Sequence, residues 1–131
     1  MLVPRETIRT TPGGGGHGAG MVAGVKAGGF IYFSAIRGGA GRVFPEDTKE
    51  QTRNAFNSVK EMLEANGASL SDIVHVTLYL HDLKYRTPFH EVWMEFFPEN
   101  PPARIAFQVA DANTQPGGGA HFVLDVVAYK P

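Results

Sequence analysis

Asn100-Pro101-Pro102-Ala103-Arg104-Ile105-Ala106-Phe107-Gln108-Val109-Ala110 is the stretch whose reading decides the fold. Two consecutive prolines have no backbone donors and hold the chain extended, and the residues after them alternate in character, so the segment reads as a strand entered through a rigid turn. Successive strand side chains point to opposite faces. Ile105, Phe107 and Val109 therefore form one apolar row, expected in the core, and Arg104, Ala106, Gln108 and Ala110 form the other. Arg104 stands beside small alanines, which leaves room for a ligand or a second chain to reach its guanidinium. A solvated arginine at a strand end is the plain alternative.

Working outward, the chain closes with His121-Phe122-Val123-Leu124-Asp125-Val126-Val127-Ala128-Tyr129, a strand. Before the proline turn, Phe89, Val92, Trp93, Phe96 and Phe97 recur at helical spacing behind Thr87-Pro88, an N-cap and first-turn proline, and Pro98 ends that helix. Ile73 to Leu80 alternates: Val74, Val76, Leu78 and Leu80 face one way, and His75, Thr77 and Tyr79 the other. An earlier helix starts at Asp47, with Glu50 three residues on, carries Phe56, Val59, Met62 and Leu63 on one face, and stops at Asn66-Gly67. Met21 to Lys26 and Phe30 to Ile36 are strand-like runs joined through Gly28-Gly29, a hairpin signal. Arg37-Gly38-Gly39-Ala40-Gly41 reads as a surface loop, with close backbone approach to an anion as the alternative. Residues 1–20, with the glycine run Gly13 to Gly16 and His17 behind it, read as a flexible segment, because ordering glycine costs the most backbone entropy.

The order hairpin, helix, strand, helix, strand, strand suits a single α+β domain over residues 1–131, in which two helices cover one face of a mixed sheet. Arg104, Ala106, Gln108, His75, Thr77, Tyr79 and Val123 are expected on the other face, too apolar for exposure and too polar for an interior, so burial in a homo-oligomer is expected. The 131 residues are 43% hydrophobic and 19% charged, with no apolar run near the ~20 residues that span a bilayer. A formal net charge of -1 and scattered basic residues give no reason to expect nucleic acid. There is no cysteine, hence no disulfide or thiolate, and the start of the chain lacks a secretory pattern, so a cytoplasmic location is expected. His17, His75, His81, His90 and His121 show no ligand spacing; no metal site and no cofactor are expected.

Phe96-Phe97 with Pro102-Ala103-Arg104, then Val109-Ala110 and Val126-Val127-Ala128, together with Asn66-Gly67-Ala68-Ser69-Leu70-Ser71-Asp72-Ile73-Val74 and Asp82-Leu83, resemble the RidA (YjgF-like) family over about residues 20 to 130. The resemblance implies a chorismate-mutase-like α+β fold, a homotrimer, and small carboxylates bound at subunit interfaces. It also implies hydrolysis of enamines and imines such as 2-aminoacrylate to 2-oxo acids and ammonia. Residue by residue, Arg104 matches the arginine that grips the carboxylate, Ser34 the serine of the second strand, and Ala35 a glycine whose amide meets the carboxylate. Ala106 stands where a backbone carbonyl helps hold the attacking water. Val123 replaces the glutamate of deaminating members, Met21 a tyrosine, and His90 an asparagine.

Imine hydrolysis needs water delivered to carbon, a proton for the departing nitrogen and a fixed carboxylate. His121, whose ring would reach past Ala106 toward a ligand on Arg104, and Asp125, matching a second acidic position, are the candidates to handle water in place of the glutamate. Three functions stay open: a deaminase, acting on a small or unsaturated amino acid derivative; a non-catalytic module binding small carboxylates; and the ribonuclease activity sometimes attached to the resembled family, which fits the charge least.

Overall fold

The computed structural model describes residues 5–9, 20–39, 43–110 and 119–131. Its strands are β1 (Arg5–Ile8), β2 (Gly24–Ala27), β3 (Phe30–Ile36), β4 (Ile73–Leu80), β5 (Ala103–Gln108) and β6 (Phe122–Tyr129). Its helices are α1 (Thr48–Ala65) and α2 (Arg86–Phe96). The strands form one sheet in the order β1-β2-β3-β6-β4-β5. All pairings are antiparallel except β4 with β5, which are joined through α2 as a parallel pair requires. The fold is thus α+β, a mixed sheet with two helices.

Local chemistry explains the elements. Gly28 (φ 58°) and Gly29 (φ 86°) sit between the paired residues Ala27 and Phe30. Positive φ at both central positions makes the two-residue turn that matches strand twist, and glycine takes it without a Cβ clash. The Asp47 carboxylate accepts from the Lys49 amide at 3.2 Å and caps α1. At its other end Gly67 N–H donates to the Glu64 carbonyl and Ala68 N–H to that of Leu63, a Schellman closure.

Phe56, Val59, Met62 and Leu63 from α1, Phe89, Val92 and Trp93 from α2, and Val76, Leu78, Leu80, Phe122, Leu124 and Val126 from the sheet are all buried. Phe56 has the rings of Phe89, Trp93, Phe96 and Phe97 at centroid distances of 5.4 to 5.8 Å. Among the described residues no helix is long and apolar enough to cross a membrane.

Several expectations are corrected. Part of the segment expected to be flexible is β1, whose Ile8 is buried opposite Gly24; a four-residue strand is too short for its alternation to stand out. The glycine run Gly13 to Gly16 and His17 lie outside the described residues. α2 begins at Arg86 rather than after Thr87, because a 3-10 turn over Leu83–Tyr85, capped by Asp82, leads directly into it and Pro88 is tolerated in the first turn. Val74 is exposed and Ile73 buried, since the β4–β6 register shifts between Ile73 and His75. Gly38 belongs to the packing rather than to an open loop: a Cβ there would lie 1.9 Å from the Gln51 carbonyl oxygen, so α1 can approach only a glycine.

The largest correction concerns β5. Arg104 pairs with Val76 and Ala106 with Leu78, both buried under the helices, whereas Ile105 pairs with Thr77 and Phe107 with Tyr79. Arg104 and Ala106 thus face the helices, and Ile105 and Phe107, 54% and 41% exposed, face outward. Apolar character alone chose the wrong row.

Candidate functional site

The predicted site residues fall into three groups. The first surrounds Arg104, whose guanidinium lies 4.6 Å from the Trp93 ring centroid and 5.8 Å from that of Phe89. Its Nη2 donates to His90 Nδ1 at 3.2 Å, and its Nη1 is buried with no hydrogen-bond partner. Burial, and secondarily the positive charge of Arg86, lowers the affinity of Arg104 for its proton; a guanidinium nonetheless stays charged. A cation held against aromatic faces, with a buried donor unused, is built to meet an anion.

The second group lies on the face the helices leave uncovered. Asp125 on β6 accepts from the Ala35 amide at 3.0 Å and from the Tyr79 hydroxyl at 3.3 Å. Ala35 has φ 60°, at a register shift of β3 against β6 between Phe33 and Ile36. A positive φ in a residue with a Cβ is uncommon, and the Asp125 bond to this amide helps hold the bulge. Burial and then Asp125 raise the Tyr79 phenol above its ordinary value. Phe107 sets its ring edge against Tyr79 at 5.1 Å. Ser34 is exposed on this face, Val123 is half-buried opposite Tyr79, and Met21 is exposed just before β2.

His121 forms the third group, just before β6. Its ring stacks on Tyr85 at 3.9 Å with an interplanar angle of 3°, and its Nδ1 hydrogen-bonds with Thr48 Oγ1 at 2.8 Å. Its backbone N–H donates to Gln51 Oε1, while Gln51 Nε2 donates to the Pro45 and Gly119 carbonyls. Burial, then the charges of Lys84 and His81, lower its pKa, with Asp47 opposing more weakly. The ring is thus engaged at the N-terminus of α1, not extended past Ala106 toward Arg104.

Within one chain, then, Arg104 and His90 sit on the helix side of the sheet, and Ser34, Ala35, Val123 and Asp125 on the other. Phe89, Trp93, Tyr79, Tyr85 and Gln51 were not among the predicted site residues. Trp93 and Phe89 were legible only as core, because their contact with Arg104 follows from the parallel β4–α2–β5 unit, which sets the face of β5.

The chain is thus a single α+β sheet with a desolvated arginine on one edge strand and a half-apolar face that its own helices leave uncovered. The profile described as Endoribonuclease L-PSP matches residues 18–118. A RutC family protein of Pyrococcus abyssi is 40% identical over 89 residues, covering 66% of this chain and 70% of that protein. The chloroplastic Reactive Intermediate Deaminase A of Arabidopsis thaliana is 32% identical over 89 residues, covering 66% of this chain and 48% of that protein. RidA from the Antarctic bacterium Psychrobacter superposes with a TM-score of 0.81 at 29% identity, over 95% of this chain and 98% of that one. The chain belongs to the YjgF/RidA family.

Proposed function

We propose that the protein hydrolyses an enamine or imine of a small or unsaturated amino acid to the 2-oxo acid and ammonia, with the substrate carboxylate held by Arg104. The observation that carries this reading is the Arg104 guanidinium, packed on Trp93 with Nη1 buried and unused. A carboxylate can take two parallel bonds from such a fork. An enamine first takes a proton at its β-carbon and loses one from nitrogen to become the imine; water then adds to the imine carbon, a proton passes to nitrogen, and the carbinolamine collapses to carbonyl and ammonia. His121 and Asp125 are the groups proposed to handle water and protons.

Because Arg104 and the Ser34–Ala35–Asp125 group lie on opposite faces, a ligand that meets both needs more than one chain. A homotrimer supplies this, and covers Ile105, Phe107 and Tyr32, which one chain leaves exposed. The description attached to the family profile names an endoribonuclease; a net charge of -1 gives this chain no electrostatic drive toward RNA.

A second reading, a carboxylate-binding module without catalysis, is favoured by one observation: both Asp125 oxygens and one His121 ring nitrogen already have internal partners. Ammonia release from an enamine generated in situ by a pyridoxal-phosphate lyase separates the two. The deaminase accelerates release above the spontaneous rate and loses about 10² to 10⁴ of that acceleration when its base is removed by His121→Ala or Asp125→Asn. Unchanged spontaneous rates for wild type and both variants, with calorimetric binding of small 2-oxo acids intact, select the binding module. Arg104→Ala weakens that binding by about 1.5 to 3 kcal/mol; equal affinities remove Arg104 from the site.

A further inference from the structure

The contact between Arg104 Nη2 and His90 Nδ1, 3.2 Å long, fixes a protonation state. A guanidinium can only donate, so Nδ1 must carry a lone pair, and His90 in this arrangement is neutral with its proton on Nε2. Arg104 on β5 meets it directly; Arg86, one turn earlier on α2, acts on Arg104, and Glu91 and Glu95 of α2 pair with Lys49 and Arg53 of α1. Those two carboxylates are thus spent on cations of α1. Among the described residues no carboxylate pairs with Arg104, and its Nη1 stays buried and unused. The guanidinium thus stands beside an imidazole that accepts its bond only while neutral.

We propose that His90 and Arg104 form a proton-coupled carboxylate site, in which binding of the anion draws a proton onto His90 and the imidazolium becomes its second cationic arm. The inference rests on the reading of Arg104 as the carboxylate anchor and adds to it the group that makes the anchor pH-dependent. Two effects compete when His90 takes up its proton. The guanidinium loses an acceptor, and the carboxylate gains a neighbouring positive charge. The second wins: the lost acceptor is replaced by carboxylate oxygens, and a unit charge about 4 Å away strengthens anion binding about fivefold even in bulk water, and more in a partly buried pocket. A bound carboxylate adds a negative charge beside the imidazole and so favours its protonated form. By linkage the carboxylate then binds more tightly on the acid side.

The test uses the whole protein in two arms. In the first, ¹⁵N NMR follows protonation of the His90 imidazole with and without pyruvate. Bound pyruvate moves it toward the protonated form; an unmoved signal overturns the coupling. In the second, calorimetry measures pyruvate and benzoate binding from pH 8 to pH 5.5. Wild type gains about tenfold in affinity, about 1.4 kcal/mol, and takes up protons on binding in buffers of different ionisation enthalpy. His90→Asn keeps an acceptor for Arg104 but cannot titrate, so it shows neither the gain nor the proton uptake. His90→Leu binds more weakly throughout, and the difference between it and His90→Asn separates orientation of the guanidinium from charge. The same pH slope in wild type and His90→Asn overturns the inference while leaving Arg104 as anchor. No binding of either acid at any pH overturns both this inference and the carboxylate reading of Arg104.

Discussion

The two faces of the sheet were made by the same strands and have opposite fates. Under the helices, Val76, Leu78, Leu124 and Val126 are buried with Phe56 and its ring of aromatic neighbours. On the other face Tyr32, Ile105 and Phe107 meet solvent in the single chain, interleaved with Ser34, Thr77 and Asp125. β5 inverts the usual arrangement most plainly, turning its charged residue toward the helices and its largest apolar ones outward. What differs between the faces is whether the chain itself supplies the cover. One face is closed by the chain's own helices; the other is left open in the single chain, and it is the face the proposed homotrimer would close.

The strongest way to break this contrast is on the covered side. Phe56→Ala removes the ring at the centre of the aromatic cluster and is expected to cost about 3 to 5 kcal/mol in urea unfolding; a loss below about 1 kcal/mol means that α1 and α2 do not share this core. On the open side Phe107→Ala is the matched truncation. If other chains cover this face, the variant loses about 2 kcal/mol per chain and its mass by light scattering falls toward that of one chain. If water covers it, mass is unchanged and the cost stays near 0.5 kcal/mol.

Smaller effects sharpen the polar part of the comparison. Asp125→Asn keeps the shape but weakens the bonds from the Ala35 amide and the Tyr79 hydroxyl, at a cost of about 1 kcal/mol. The Tyr79 phenol then titrates lower, since Asp125 no longer opposes its ionisation, and ultraviolet titration reads that shift directly. His121 gives the smallest term. Burial holds its folded-state pKa below the ordinary ~6.5, so the unfolded chain binds the proton more readily. Its contribution is therefore complete above that value and is lost as the pH falls below it toward the folded-state pKa. His121→Gln flattens the stability curve in that window; an unchanged slope assigns the dependence to other groups.

The residues themselves show where sequence reading stops. The helices, β4, β6 and the Gly28–Gly29 hairpin were legible because local chemistry specifies them: caps, period and a turn only glycine makes easily. Arg104 was legible as a special residue. Its face was not, since alternation gives two rows and says nothing about which row is covered when both are meant to be. That decision belongs to the parallel pairing with β4, whose partners are distant in sequence. Gln51 was invisible for the same reason: it reads as one polar residue of an amphipathic helix, yet it bonds Pro45, Gly119 and His121, the last two 68 and 70 residues away. Ala35 was marked only by the resemblance, which set it at a glycine position; its own residue type is ordinary in a strand, and only the bulge makes its φ positive.

The strand order β1-β2-β3-β6-β4-β5 also bears on how the chain is made. β6 follows β3 and β4 in the chain, yet it lies between them, and among the described residues the two halves of the sheet are joined through it. While residues 122–129 are still inside the ribosome, the β1–β3 unit and the β4–α2–β5 unit each present a raw edge, along Phe30–Ile36 and Ile73–Leu80. These are among the most β-prone stretches of the chain, and an unpaired edge of that kind invites pairing with other nascent chains. Folding of this protein is therefore expected to pause at two half-sheets, with insertion of β6 as the closing event and the interval before it the time of greatest exposure to aggregation.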